Sequence, residues 1–444
     1  MSTSNHATRV EALVHTLRES QGAVALKKTT SNLFREREAQ PRRRLDVRDL
    51  NQVLEVDADN LRIDAEGMTS YATLVDAALA AGVMPAVVPQ LKSITLGGAV
   101  AGVAIESSSF RQGLVHETVE ELEVLTGSGE VLRCRADNEH RDLFHAFPNS
   151  YGTLGYALRV TARALPVRPY VHLEYRRHEG PEAFFKDLQQ TCAGDADFVD
   201  GVVFDGHRLV LSVGRFVDQA PYSSDYHFEH IYYRSLLARH EDYLSTRDYL
   251  WRWDTDWFWC SKNVGAQNPL LRRLVFGRKR LNSVTYARLM RTNARLGLTR
   301  ILSRLRGEHT ESVIQDVDIP LERCAEFLEF LLREIGLLPI WICPIGARSG
   351  AFKLYPLTPD KLYLNFGFWD VLKRASAFAP GHHNRLIERE VQRLGGIKSL
   401  YSDSYFERDE FWASYGGDHY REIKARYDPD GVFPDLYDKC VLRR

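Results

Sequence analysis

Leu91-Lys-Ser-Ile-Thr-Leu-Gly-Gly-Ala-Val-Ala-Gly-Val-Ala-Ile-Glu-Ser-Ser-Ser109 is the stretch on which the reading of this chain turns. Glycines let backbone N–H groups approach a diphosphate closely, and hydroxyls add donors without a fixed positive charge. The candidate contacts are Thr95, Leu96, Gly97, Gly98, Ala99, Gly102, Ile105, Glu106, Ser107, Ser108 and Ser109. The run lacks the Gly-Lys-Ser/Thr of a P-loop and does not match GxGxxG after an opening strand. Its competing reading is a small-residue turn packed in a core. A second patch, Pro148-Asn-Ser-Tyr-Gly-Thr-Leu-Gly155, offers Gly152, Thr153 and Gly155 as a further wall for an extended cofactor, or is an ordinary loop.

Around these patches, short strand-like runs alternate with helical ones. Asn60 to Ala65 reads as a strand, and Thr69 to Ala81 as an amphipathic helix closed by Gly82. Glu120 to Leu125 and Glu130 to Cys134 flank Thr126-Gly-Ser-Gly129, a hairpin signal. Tyr156 to Leu165 is another strand, and Pro166 and Pro169 mark a boundary after residue 168. His172 to Arg177, Phe198 to Val217, Ser312 to Pro320, Pro339 to Pro344 and Lys361 to Phe368 read as strands of a second α+β unit over 169–395, with a helix over Leu321 to Ile335. Residues 396–444, aromatic and charged, form a third segment.

Residues 222–307 differ in character. Four of the seven tryptophans, Trp251, Trp253, Trp257 and Trp259, fall in one nonapeptide. From Trp257 to Gly307 there is no Asp or Glu, while Lys and Arg recur. Tyr286, Leu289, Met290, Leu298, Ile301, Leu302 and Leu305 sit at near-helical spacing with Arg291, Arg295, Arg300 and Arg304 between them. One reading is an interfacial surface for anionic lipid headgroups; the other is a solvated basic helix over a core that holds the indoles. Nucleic acid is a poorer partner, because 58 Lys and Arg balance 59 Asp and Glu.

The 444 residues suggest two or three domains, and 44% hydrophobic residues exclude a disordered chain. Six cysteines without a CxxC pair argue against structural zinc or iron–sulfur clusters and for a reducing compartment. His382-His383 lacks metal-ligand spacing, no metal site is expected, and no GxSxG motif is present. The start has no signal-peptide pattern, and apolar runs such as Ile335 to Ala347 fall short of the roughly 20 residues a membrane span needs. A cytoplasmic protein is expected, peripheral on the inner face of the membrane if the basic segment is interfacial.

Taken together, the two glycine patches resemble the FAD-binding domain of the vanillyl-alcohol-oxidase (PCMH-type) flavoproteins. Leu91 to Ser109, Asp142-Leu-Phe-His-Ala-Phe-Pro148 and Tyr151-Gly-Thr-Leu-Gly155 are similar to the sterol delta-24-reductase branch. So are Val313-Ile-Gln-Asp-Val-Asp-Ile-Pro320, Pro339-Ile-Trp-Ile-Cys-Pro344, Tyr401-Ser-Asp-Ser-Tyr405, Glu410-Phe-Trp412 and Phe433-Pro-Asp-Leu-Tyr-Asp-Lys439. The chain also resembles the flavin-dependent partner proteins of bacterial branched fatty-acid synthesis. The resemblance implies an α+β fold: a two-subdomain FAD-binding domain over 1–168, a cap over 169–395, and a C-terminal segment returning to the flavin site. It implies an FAD-dependent oxidoreductase acting on a lipid carbon–carbon double bond, fed by NADPH. A methylene-branched fatty-acyl chain, free or in a phospholipid, is the first substrate, and a sterol-type alkene the second. A lipid dehydrogenase running in reverse and a non-catalytic partner of a methyltransferase are the alternatives. Many such flavoproteins attach FAD through a His or Cys in the first cofactor loop, here Leu26 to Leu33, which has neither; non-covalent FAD is expected. His116 reads as a structural histidine. Protonating the less substituted alkene carbon first would leave a tertiary cation to take a hydride, so the site needs an acid and aromatic faces. Tyr401, Asp403 and Tyr405, at alternate positions of an extended segment, provide both, and Gln315 and Asp316 are the next candidates.

Overall fold

Tyr156 to Pro166 alternates buried apolar residues with half-buried ones, and it is the spine of the first of two large sheets in the computed structural model. The structure describes residues 2–19, 22–30, 34–35, 43–296 and 306–444. A short parallel pair, β1 (Val24–Lys27) and β2 (Arg43–Asp46), precedes that sheet. The sheet itself is antiparallel and contains β3 (Val53–Asp57), β4 (Arg62–Glu66), β5 (Val83–Pro85), β6 (Val119–Leu125), β7 (Val131–Cys134) and β8 (Tyr156–Pro166). Its order is β3-β4-β8-β6-β7, with β5 on the C-terminal end of β8. The predicted helix is Tyr71–Ala80, which buries Tyr71, Leu74, Val75 and Ala78 at helical spacing. Ser70 caps it by accepting a hydrogen bond from Thr73 N at 3.2 Å. The predicted β6–β7 hairpin is present, turning through Gly129 at φ 77°.

β8 closes at Pro166, and β9 (Tyr170–His178) opens in the other sheet. That sheet continues with β10 (Phe198–Asp205), β11 (Arg208–Val217), β12 (Glu241–Ser245), β13 (His309–Pro320), β14 (Ile340–Gly346), β15 (Leu362–Arg374) and β16 (Ile397–Lys398). Its order is β12-β9-β11-β10-β14-β15-β13-β16, antiparallel throughout. Helices Pro181–Cys192, Cys324–Phe330 and His382–Arg393 cover one face, where Phe184, Leu188, Phe327 and Ile387 meet Val313, Val317 and Ile319. The other face of β13 carries Ser312, Ile314, Asp316 and Asp318 toward a cavity between the sheets. The α+β expectation therefore holds.

The C-terminal residues return to the second glycine patch and to β1. Lys424 Nζ donates to Thr153 O at 2.7 Å, Lys439 Nζ to Tyr151 O at 2.6 Å, and Val24 N to Val432 O at 3.0 Å.

The indoles of the basic segment are not at a surface, which corrects the interfacial reading for them. Trp251, Trp253, Trp257 and Trp259 are buried in the core shared by the sheets. Trp257 and Phe258 adopt left-handed φ values of 43° and 60°, and this tight turn packs Phe258 against Trp253 and Trp369 at ring-centroid distances of 4.6 and 4.4 Å. The amphipathic helix is described over Ser283–Leu296. Leu298, Arg300, Ile301, Leu302, Arg304 and Leu305 lie outside the described residues.

One buried ionic cluster joins the two halves. Arg252 Nη2 lies 3.0 Å from Glu106 Oε1, at the end of the glycine-rich stretch, and 2.9 Å from Asp200 Oδ2 in β10. Trp341 Nε1 donates to the same Asp200 oxygen at 3.1 Å, and the guanidinium lies 4.1 Å from the Tyr249 ring centroid. Burial pushes the Glu106 carboxyl up and Arg252 pulls it back. Replacing Arg252 by Leu strands two carboxylates in the interior, and a loss of about 3–5 kcal/mol is expected in urea unfolding. An unchanged unfolding midpoint would show that the cluster does not hold the halves together.

Candidate active site

The cavity between the sheets has one wall made mainly of backbone. Thr95, Gly97, Gly98, Ala99, Gly102 and Ile105 contribute to it, and so do Gly152 and Gly155. Packing explains part of the glycine content. A Cβ at Gly97 would stand 2.9 Å from Gly67 O, and one at Gly155 would stand 2.6 Å from Val124 Cγ1 and 2.8 Å from Leu125 O. Gly98 instead is exposed into the cavity, and its Cβ would meet only the side chain of Thr95. The small-residue turn and the ligand-facing wall, alternatives in the sequence, are thus two sides of one segment.

Not every residue of the stretch reaches the cavity. Leu96 is buried in the core of the first sheet. After Ile105 the chain turns away into the short helix Ser109–Gln112, and the hydroxyls expected to face a phosphate are committed elsewhere. Ser107 Oγ bonds the Glu106 carboxylate and, at 2.8 Å, the Tyr249 hydroxyl. Ser108 Oγ donates to Ala86 O at 2.8 Å, and Ser109 Oγ accepts from Glu106 N at 3.1 Å. Glu106 itself serves the buried cluster with Arg252. Thr153 is buried, with its hydroxyl on Ser150 O at 2.8 Å. Glu106, Ser107, Ser108, Ser109, Leu96 and Thr153 therefore support the wall without lining it.

The opposite wall combines acids and aromatic rings. Asp316 and Tyr401 are brought together there, beside Trp257, Phe258, Trp341 and Trp369. Trp369 Nε1 donates to the Tyr401 hydroxyl at 2.7 Å. Asp316 pairs across the sheet with Gly367, and a Cβ at Gly367 would stand 2.7 Å from Asp316 Oδ1. The same Cβ would stand 2.6 Å from the Trp369 ring, so glycine there leaves room for the indole as well as the carboxyl. Burial raises the Asp316 pKa to about 7; the Tyr401 hydroxyl, turned toward the same carboxyl, pulls it down, and Asp318 pushes it up.

The other catalytic candidates fall elsewhere. Gln315 is on the opposite face of β13, donating to Asn384 Oδ1 at 2.5 Å, because strand alternation separates it from Asp316. Residues 399–407 form no strand, and Tyr401 lines the cavity while Asp403 and Tyr405 both turn to Arg443 instead. Asp403 faces Arg443 at 3.4 Å, and Tyr405 packs on Gly381 and accepts from Arg443 at 3.2 Å. Sequence reasoning missed Asp318, which receives hydrogen bonds from Tyr355 Oη at 2.6 Å and Asn365 Nδ2 at 2.8 Å and is raised to about 6 by burial. Its place two residues from Asp316 on a strand was the available signal. Trp341 lies in the quoted stretch Pro339 to Pro344, while Tyr355, Asn365 and Trp369 come from distant segments and carried no signal.

The lining fits an extended dinucleotide with a flat ring. Gln90 Oε1, Asp316 Oδ1 and Asn365 Oδ1 belong to cavity residues and are buried without hydrogen-bond partners in the protein. They suit a ligand that brings its own donors, the glycine wall suits close approach of a diphosphate, and the indoles suit a ring system. Leu26, Lys28 and Thr30 of the first cofactor loop reach the cavity, while Ser31 to Leu33 lie outside the described residues. His116 is buried against Phe352 at 4.5 Å between ring centroids, and burial pushes its pKa down to about 3, leaving a neutral imidazole.

Comparison with known proteins agrees with this geometry. A family profile described as FAD binding domain matches residues 3–135. The Delta(24)-sterol reductase of Homo sapiens is 27% identical over 410 residues, covering 89% of this chain and 77% of the relative. That of Arabidopsis thaliana is 25% identical over 450 residues, covering 90% and 77%. Cytokinin dehydrogenase 1 of Oryza sativa subsp. japonica is 31% identical over 162 residues, 34% of this chain and 30% of its own length. With an FAD binding domain, a cavity that fits the cofactor, and similarity to Delta(24)-sterol reductases over 89% of its length, the chain is an FAD-dependent oxidoreductase.

Proposed function

We propose that this chain reduces an isolated carbon–carbon double bond in a lipid, with FAD held non-covalently and NADPH as electron donor. The observation that carries the reading is Asp316, a carboxyl raised to about 7 beside aromatic rings in the cavity. The wall of Thr95, Gly97, Gly98, Ala99 and Gly102, with Gly152 and Gly155, would hold FAD, which in its reduced form would supply a hydride. The chain's own contribution is the proton. An isolated alkene has no carbonyl to stabilise a carbanion, so the easier order protonates the less substituted carbon first and leaves a tertiary cation on the substrate. Asp316 carries that proton, and Tyr401, fixed by Trp369, orients it. The faces of Trp369, Trp341 and Phe258 tolerate the positive charge, and an apolar lining keeps out water that would capture it.

Two substrates share this chemistry. A methylene-branched fatty-acyl chain, free or in a phospholipid, is the first, and it follows from the resemblance to proteins of branched fatty-acid synthesis. A sterol side-chain alkene is the second, favoured by relatives named Delta(24)-sterol reductase. Supplying each to the FAD-loaded protein with NADPH and analysing the saturated product separates them.

Anaerobic mixing with NADPH is expected to bleach the visible flavin absorption; persistent colour would remove NADPH as donor. Asp316→Asn is expected to keep FAD but lose about 10²–10⁴-fold in kcat, the usual range for a general acid. The working form is the protonated one, so kcat is expected to hold below about pH 7 and to decline as pH rises through it. A profile that rises across that window would sink Asp316 as the acid. Because Leu26 to Leu33 contains no His or Cys, acid precipitation is expected to release all yellow colour into the supernatant. Flavin in the pellet would mean a covalent bond at another residue.

A further inference from the structure

Large apolar side chains that stand exposed are few among the described residues, and they are gathered in one place. Six of the seven, Leu270, Leu271, Leu274, Val275, Val284 and Leu289, lie between positions 270 and 289. Leu270 and Leu274 are the most exposed, at 69% and 82%. Isolated surface leucines need no explanation, but a gathered group does.

The cause is local. Arg272 turns inward and holds Asp256 with two bonds, of 2.7 and 3.1 Å, and it also donates to Ala266 O at 3.1 Å. Both side chains of the pair are buried. A buried ion pair that could instead have been exposed is no evident gain in stability. What it does is fix the rotation of the helical run from Pro269 to Arg280, so that Leu270, Leu271, Leu274 and Val275 point outward while an arginine occupies the interior.

Charge defines the partner. Residues 257–307 contain no Asp or Glu. Arg273 pairs with Glu229 at 2.5 Å and Arg278 with Asp225 at 3.6 Å, while Lys279, Arg280 and Arg288 are exposed and carry no ion pair among the described residues. The same acid-free stretch supplies Trp257, Cys260, Asn263 and Met290 to the lining of the cavity. Exposed aliphatic side chains in one stretch with exposed cations that have no ion pair among the described residues match an anionic bilayer, whose acyl boundary takes the former and whose headgroups attract the latter.

We infer that residues 270–289 form a docking surface for an anionic lipid bilayer. Leu270 and Leu274 enter the acyl boundary, and Lys279, Arg280 and Arg288 meet the headgroups. The surface does not depend on the reductase chemistry: vesicle binding is measured without turnover, so either can fail alone.

The test is cosedimentation of the FAD-loaded chain with vesicles of phosphatidylcholine alone and of phosphatidylcholine with phosphatidylglycerol. Binding to the anionic vesicles only, released by salt, is expected, since exposed charges are screened over about 8 Å at physiological ionic strength. The triple variant K279Q/R280Q/R288Q is expected to bind roughly a hundredfold more weakly, at about 1 kcal/mol for each cation near such a surface. L270S/L274S is expected to lose binding while its circular dichroism and flavin absorption stay unchanged. No sedimentation with anionic vesicles, equal sedimentation with neutral ones, or undiminished binding of L270S/L274S would each overturn the proposal. So would a wild-type dimer in vesicle-free sedimentation that L270S/L274S turns into a monomer, because the patch would then be covered by a second copy of the chain.

Discussion

The guanidinium of Arg252 is the point on which the cavity depends. One of its nitrogens is shared by Glu106, which ends the glycine-rich wall, and by Asp200, which belongs to the second sheet. The Glu106 carboxylate also takes the backbone N–H of Ser107 at 2.5 Å, so the turn that follows the wall is tied into the same cluster. Two carboxylates and one cation in a dry interior tolerate little displacement, because any separation leaves a charge without compensation. The distance between the cofactor wall and the acid-bearing wall is therefore set by an electrostatic constraint in addition to apolar packing. The cluster works with other ties across the halves, such as Val199 N donating to Ser107 O at 2.9 Å and Ser349 N to Glu117 Oε1 at 3.0 Å.

How much of this was legible in the sequence varies with the range of the interaction. Local signals survived. The apolar periodicity of Thr69 to Ala81, the Thr126-Gly-Ser-Gly129 turn and the strand pattern of Tyr156 to Leu165 each depend on near neighbours, and each formed as expected. Asp316 and Tyr401 were named as candidates and do meet in the cavity, although they lie on different elements. Gln315 was grouped with Asp316 because they are adjacent, yet adjacency on a strand means opposite faces. Tyr405 and Asp403 were placed with Tyr401 on the assumption of an extended strand that does not form after Lys398. Ser107 to Ser109 looked like phosphate ligands because their residue type allows it. Their actual partners, Tyr249, Ala86 and Glu106, are set by how the chain folds back, which no spacing in that stretch reveals.

The tryptophan cluster makes the same point from the other direction. Its composition allowed both a surface and a core, and the fold buries all four indoles, with a left-handed turn at Trp257 and Phe258 between them. The apolar material that remains outside is aliphatic, and its outward aim follows from one arginine turned inward. A single polar side chain thus decides the exposure of four apolar ones, against the usual sense of the hydrophobic pattern.

The segment after residue 395 has a consequence for the order in which the protein matures. It supplies Tyr401 to the cavity, and Lys424 and Lys439 fasten it to the carbonyls of Thr153 and Tyr151 beside the glycine wall. A ribosome would therefore deliver every strand but β16 before the residues that close the site between the sheets. Capture of the cofactor in its final setting therefore waits for residues made after both glycine patches. A protease that clips after Lys398 would spare every strand and cut off Tyr401 and the residues that fasten it.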